Sequence, residues 1–151
     1  MINEKLKLSG QLGIVLRDKD GNIKEKRTEK NLVVTTGLNY IASRMKDATA
    51  TAMTHMALGS GTTTEAASQT DLTTLLGSRE ALDSTTVTAN AVAYVASFEA
   101  GDATGAVTEA GIFNASTGGT MLCRVKFASG VVNKAADDTM TVTWTITLAA
   151  S

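Results

Sequence analysis

The 151 residues predict a mainly β protein, a β-sandwich or jelly-roll-like domain with one short helix. Three observations carry that expectation. Threonine supplies 24 residues, and its β-branched side chain is stiff at χ1 and favours strands. Short runs of period-2 alternation are separated by turns rich in Gly, Ser, Asn and Asp. No alternating strand–helix pattern is present, which argues against a Rossmann-type sheet. With three Phe, two Tyr and one Trp, the core must come mostly from Val, Ile, Leu, Met and Ala.

The elements follow in order. Residues 5–17 alternate through Leu6 and Leu8, then Leu12, Ile14 and Leu16. Asp20-Gly21 is a hairpin signal, and residues 23–28 form the return strand. That return strand is polar on both faces, so it is expected as an edge or a clamp. Residues 31–35 read as a further short strand. The helix is expected over residues 37–46, with Leu38, Ile41, Ala42 and Met45 on one face and Thr35 or Thr36 as its cap. Arg44 and Lys46 complement the dipole at its end. A small-residue connector spans residues 48–52. Residues 53–58 read as a buried strand, followed by a Gly/Ser/Thr/Ala loop over residues 59–69 without an apolar anchor. Asp71 is placed to cap one helical turn through Leu76. Two hairpins follow, residues 79–88 with 91–99 and residues 107–114 with 120–127, and Val131 and Val132 add a stub. Residues 139–148 give the cleanest signal: Met140, Val142, Trp144, Ile146 and Leu148 alternate strictly with five threonines. Trp144 is the expected centre of the core. The threonine face is solvated or lies against another subunit.

Charge divides the chain. Residues 1–30 carry eight Lys/Arg against five Asp/Glu, and residues 31–151 carry six against ten. This suggests a mildly basic N-terminal hairpin arm (1–30) on a weakly acidic sandwich body (31–151), within one domain. The overall net charge of −1 excludes a whole-molecule basic field for nucleic acid. No apolar run is long enough for a membrane helix, and residues 1–7 lack the apolar run of a signal peptide. A single cysteine excludes an internal disulfide and a cysteine cluster for zinc, and it fits a reducing cytosol.

Candidate chemistry is sparse. His55 has no carboxylate or second ligand at a useful spacing, so it reads as a packed or surface histidine. Cys123 sits in an expected strand and reads as buried; His55 is its one candidate activator. The stretch Gly59-Ser60-Gly61-Thr62 lacks the lysine of a phosphate loop and the third glycine of a dinucleotide fingerprint. A loop pressed close to another backbone explains its glycines better. Asp137-Asp138 and Glu99 with Asp102 read as turns rather than cation sites. Nothing points to an enzyme or a cofactor.

Four segments carry a resemblance. They are residues 31–45 (Asn-Leu-Val-Val-Thr-Thr-Gly-Leu-Asn-Tyr-Ile-Ala-Ser-Arg-Met), 53–63 (Met-Thr-His-Met-Ala-Leu-Gly-Ser-Gly-Thr-Thr), 107–115 (Val-Thr-Glu-Ala-Gly-Ile-Phe-Asn-Ala) and the 139–148 ladder. Together they resemble the small structural proteins of tailed-bacteriophage virions, most of all capsid cement or decoration proteins. The resemblance implies a β-sandwich body, no catalysis, and a homo-oligomer (dimer or trimer) on the outside of the capsid, bound to the major capsid protein. It also implies a virion location after synthesis in the host cytoplasm, with neither nucleic acid nor membrane as partner. A tail, baseplate or fibre-attachment module is the alternative. The expected contact residues are Lys24, Lys26 and Arg27 on the arm, and Gly59, Ser60 and Gly61 in the loop, whose small size lets backbones approach.

Overall fold

Alternation decides which side of each strand turns inward, and the longest alternating segments become the longest strands. The computed structural model describes residues 4–46 and 50–150. The chain runs through β1 (Leu6–Arg17), β2 (Ile23–Lys30), β3 (Leu32–Val33), α1 (Thr35–Lys46), β4 (His55–Gly59), β5 (Glu80–Ala81) and β6 (Ser84–Thr88). It continues through β7 (Ala91–Phe98), β8 (Gly105–Val107), β9 (Glu109–Phe113), β10 (Met121–Lys126), β11 (Val132–Lys134) and β12 (Thr139–Ala150). The first sheet has the order β2-β1-β12-β7-β6 and the second β3-β10-β9-β4-β5; a β11–β8 ribbon joins them. Every ladder is antiparallel. This is the expected mainly β, sandwich-like fold.

The core lies between the two sheets. The first contributes Leu12, Ile14, Leu16, Tyr94, Phe98, Met140, Val142, Trp144 and Ile146. The second answers with Met56, Leu58, Ala110, Ile112, Cys123 and Val125. Trp144 is fully buried, as expected, and its indole N–H donates to Asn31 Oδ1 at 2.9 Å. Gly10 makes room for that bond, since a side chain there would collide with the Asn31 amide.

The N-terminal hairpin forms around Asp18–Asn22, with Gly21 at positive φ. It is an edge of the body rather than a separate arm. β1 pairs with β12 from Leu6↔Ala150 to Arg17↔Thr139 and buries Leu12, Ile14 and Leu16. Only β2 lies at the rim.

Three local expectations are corrected. The helix starts at Thr35, and Leu38 N–H donates to Val34 O; Thr36 does not cap it but donates its hydroxyl to Met121 O at 3.0 Å. The helix docks through Gly37, Tyr40 and Ile41, because the missing Cβ of Gly37 lets its backbone rest against the Leu122 carbonyl. Leu38 and Met45 are exposed. Residues 71–76 form no helical turn; they run as an extended strap bridged to β4 at Gly59↔Leu75. The expected 48–52 connector lies partly outside the described residues. Among those described, no helix is long and apolar enough to cross a membrane.

Candidate functional site

The sandwich has two outer faces, and they differ in what covers them. On the second sheet, Glu109 and Arg124 point outward from β9 and β10, yet both are fully buried. Residues 60–79 fold across them. Arg124 donates to Glu109 Oε2 through Nη2 at 2.6 Å and through Nε at 3.0 Å. Its remaining donors reach Gln69 Oε1, Thr63 O and Thr73 Oγ1. Glu109 accepts the backbone N–H groups of Gly61, Thr73 and Thr74. The pair is therefore satisfied on every side, the condition under which a buried ion pair is tolerated. Beneath the strap, Leu72 joins Val34, Ala57, Phe113 and Met121 in a small apolar cluster. Arg79 closes the strap: its guanidinium stacks on the Phe113 ring at 3.5 Å and donates to Ala115 O and Gly118 O.

The loop residues expected at an interface belong to this internal node. Gly59 and Gly61 are buried, and a side chain at either would strike the Glu109 carboxylate. Ser60 is half-buried and donates its N–H to Thr74 O. The glycines serve a close approach within the chain, not a contact outside it. Thr62, Thr63 and Thr64, with Ala66, Ala67 and Ser68, are the exposed part of the loop.

The outer face of the first sheet is bare. Registers place its outward side chains in rows across the strands. One row runs Lys26, Val15, Thr141, Ser97; the next runs Thr28, Gly13, Thr143, Val95, Ser84. A third runs Lys30, Gln11, Thr145, Ala93, Thr86, and a fourth runs Ser9, Thr147, Ala91, Thr88. These rows carry hydroxyls, methyls, one glycine and the Gln11 amide. Lys26 and Lys30 stand at the β2 rim, Lys7 continues the face on β1, and the Asp83 carboxylate accepts from Ser97 Oγ at the opposite end. Four strand gaps of about 4.8 Å and seven residues of about 3.3 Å make the face roughly 440 Å².

The three expected basic contacts divide. Lys24 Nζ is held by the buried Asp138 carboxylate at 2.6 Å. Arg27 pairs with Glu25 and donates to Gly130 O and Val131 O. Glu29, beside it, accepts the N–H groups of Ala128 and Ser129. Both cations clasp the rim strand to the body, an intramolecular role beside the expected one, and Lys24 stays exposed. Lys26 is exposed on the bare face, in the same column as Lys30. Lys24 holds the Asp138 carboxyl below its ordinary value, with help from the Ala135 N–H.

The remaining candidates offer no catalytic arrangement. His55 Nδ1 meets Thr54 Oγ1 at 2.8 Å. His55 pairs with Phe113 and Cys123 with Ile112, so they lie on opposite faces of the second sheet. Burial pushes the Cys123 thiol well up, away from thiolate chemistry. An apolar cleft of about 340 Å³ opens between α1 and the end of the first sheet, beside Tyr40, Ile41, Met53, Val87, Tyr94 and Leu148. Burial raises the Tyr94 phenol to about 12, so it stays protonated there. Among the described residues, no three His, Cys, Asp or Glu side chains gather to hold a metal. Comparison with protein-family models, with curated proteins and with solved structures finds no match.

Proposed function

We propose that this chain is a cement or decoration protein of a tailed-phage virion, docking on the outside of the major capsid protein shell and bridging capsomers without catalysis. The observation that carries the reading is the bare threonine face of the first sheet. Its side chains are short, so ordering them on docking costs little entropy. Lys26 and Lys30 give it a one-sided basic rim suited to an acidic capsid surface. Rim charges of this kind set on-rate and register more than affinity.

The face suits a multivalent role: many copies docked on a repeating shell hold by avidity, without any single strong site.

The test is to shear virions, separate heads from tails, and quantify the chain against the major capsid protein. Purified chain is then added to decoration-free capsids. Hundreds of copies confined to heads, with rebinding that raises heat tolerance, support the proposal. Copies that travel with tails would replace it by a tail, baseplate or fibre-attachment role. Capsids left unbound at saturating chain would end it.

A further inference from the structure

Antiparallel sheets expose strand edges, and a chain that avoids unwanted pairing guards them with charge, brevity or bulges. The described edges of this sandwich are guarded with one exception. β2 carries Lys24, Lys26, Arg27 and Lys30, and it is bulged opposite Leu16 and Arg17. β3 and β5 are two residues each. β6 is five residues long, Ser-Thr-Thr-Val-Thr, uncharged, fully exposed, and without proline or bulge. Among the described residues it pairs with β7 alone, which leaves alternate N–H and C=O groups along its far side without a strand partner. Val87, 70% exposed, projects beside this edge at the mouth of the apolar cleft.

We infer that β6 pairs antiparallel with β6 of a second copy of this chain, joining two five-stranded sheets into one continuous ten-stranded sheet about a two-fold axis. The strand is self-complementary in that arrangement. A register centred on Thr86 sets Thr86 against its own copy, Thr85 against Val87, and Ser84 against Thr88. No charge opposes a like charge, and hydroxyls and methyls meet across the axis. The register also places each Val87 against a Thr85 side chain on the face that lines the cleft, which reduces its exposure. The same pairing from β2 would desolvate its lysines. An isologous contact closes after two copies, so the unguarded edge ends in a dimer and not a fibre. Five paired residues bury far less than the ~1,600 Å² of a standard interface. The dimer is accordingly weak and concentration-dependent.

Thr86 is exposed and its substitution leaves the core untouched. Sedimentation equilibrium over a concentration series is expected to give a reversible dimer for the wild-type chain. Thr86→Lys and Thr86→Glu, each with unchanged melting temperature, are expected to be monomers, and their equimolar mixture to recover the dimer. Thr86→Cys is expected to form an intermolecular disulfide under mild oxidation. A wild-type chain that is monomeric throughout, or a Thr86→Lys chain as dimeric as wild type, would overturn the inference. The readout is the free chain in solution, so its failure leaves the capsid-docking proposal standing, and the reverse holds as well.

Discussion

The two outer faces of this sandwich invert the usual reading of polarity. On the second sheet an ion pair lies completely buried under a strap, while on the first a row of threonines stands uncovered. Glu109 and Arg124 can be buried because each hydrogen-bonding group finds a partner. The threonines need no cover because water satisfies their hydroxyls. Satisfaction of polar groups, rather than polarity itself, separates the inside of this protein from its surface. One face is consumed by internal structure, and the other is left uncovered by the described residues.

Substitutions test that contrast. Trp144→Ala, in the core that both sheets share, sets the scale: a loss of about 3–5 kcal/mol from the cavity, read as a urea midpoint. Glu109→Ala should approach that value, about 3–5 kcal/mol, because it leaves the Arg124 guanidinium buried without its counter-charge. Limited proteolysis should then cut first within residues 62–79. If Glu109→Ala costs under about 1 kcal/mol, the strap is not held as described. Arg79→Ala removes the Phe113 stack and two carbonyl bonds while leaving the ion pair intact, for about 2 kcal/mol.

Asp138→Asn is milder and depends on pH. The folded state lowers the carboxyl below its ordinary 3.8 through the Lys24 hydrogen bond. The charged form therefore stabilises the fold above pH ~4, and this is lost as pH falls through the lowered value. Wild type and Asp138→Asn should differ at pH 6 and converge at the acid end of a pH series of urea melts. The smallest effect on stability belongs to Thr143→Lys, at the centre of the bare face: within about 0.5 kcal/mol. On the docking proposal, the same variant should lose capsid binding. Retained binding would place the contact elsewhere.

Much of the fold was legible because period 2 is hard to counterfeit. β1 and β12 follow directly from their alternation, and the two-sided polarity of β2 placed it at an edge. The helix was found, but its docking face was read from its larger apolar residues. Ile41 of that face does pack on the core, but the helix turns so that Tyr40 joins it and Gly37 makes the closest approach, where the absence of a side chain is the signal. Residues 59–69 read as a loop because they hold no apolar anchor, and residues 71–76 as a helical turn; in the fold both belong to one strap, fixed by Leu72 and by a polar node. That node lies more than 30 residues away in sequence. A trace was present: Glu109 and Arg124 are single charges inside otherwise apolar strands, and such charges mark either solvent or a buried partner. Lys24 and Arg27 are expected at an outside contact; their partners within the chain, Asp138 and the Gly130 and Val131 carbonyls, are over 100 residues distant, so spacing does not reveal them.

The position of β12 also sets the order in which the molecule can assemble. It lies between β1 and β7, so the β1–β2 and β6–β7 hairpins share no ladder until it arrives. It follows the other described strands in chain order, and Leu6 must wait for Ala150. Closure of the first sheet is therefore a late event spanning nearly the whole chain, and contacts so distant in sequence fold slowly. No proline is present to add prolyl isomerisation as a second slow step. The slow phase of refolding should thus time one event, the insertion of β12 between its two neighbours.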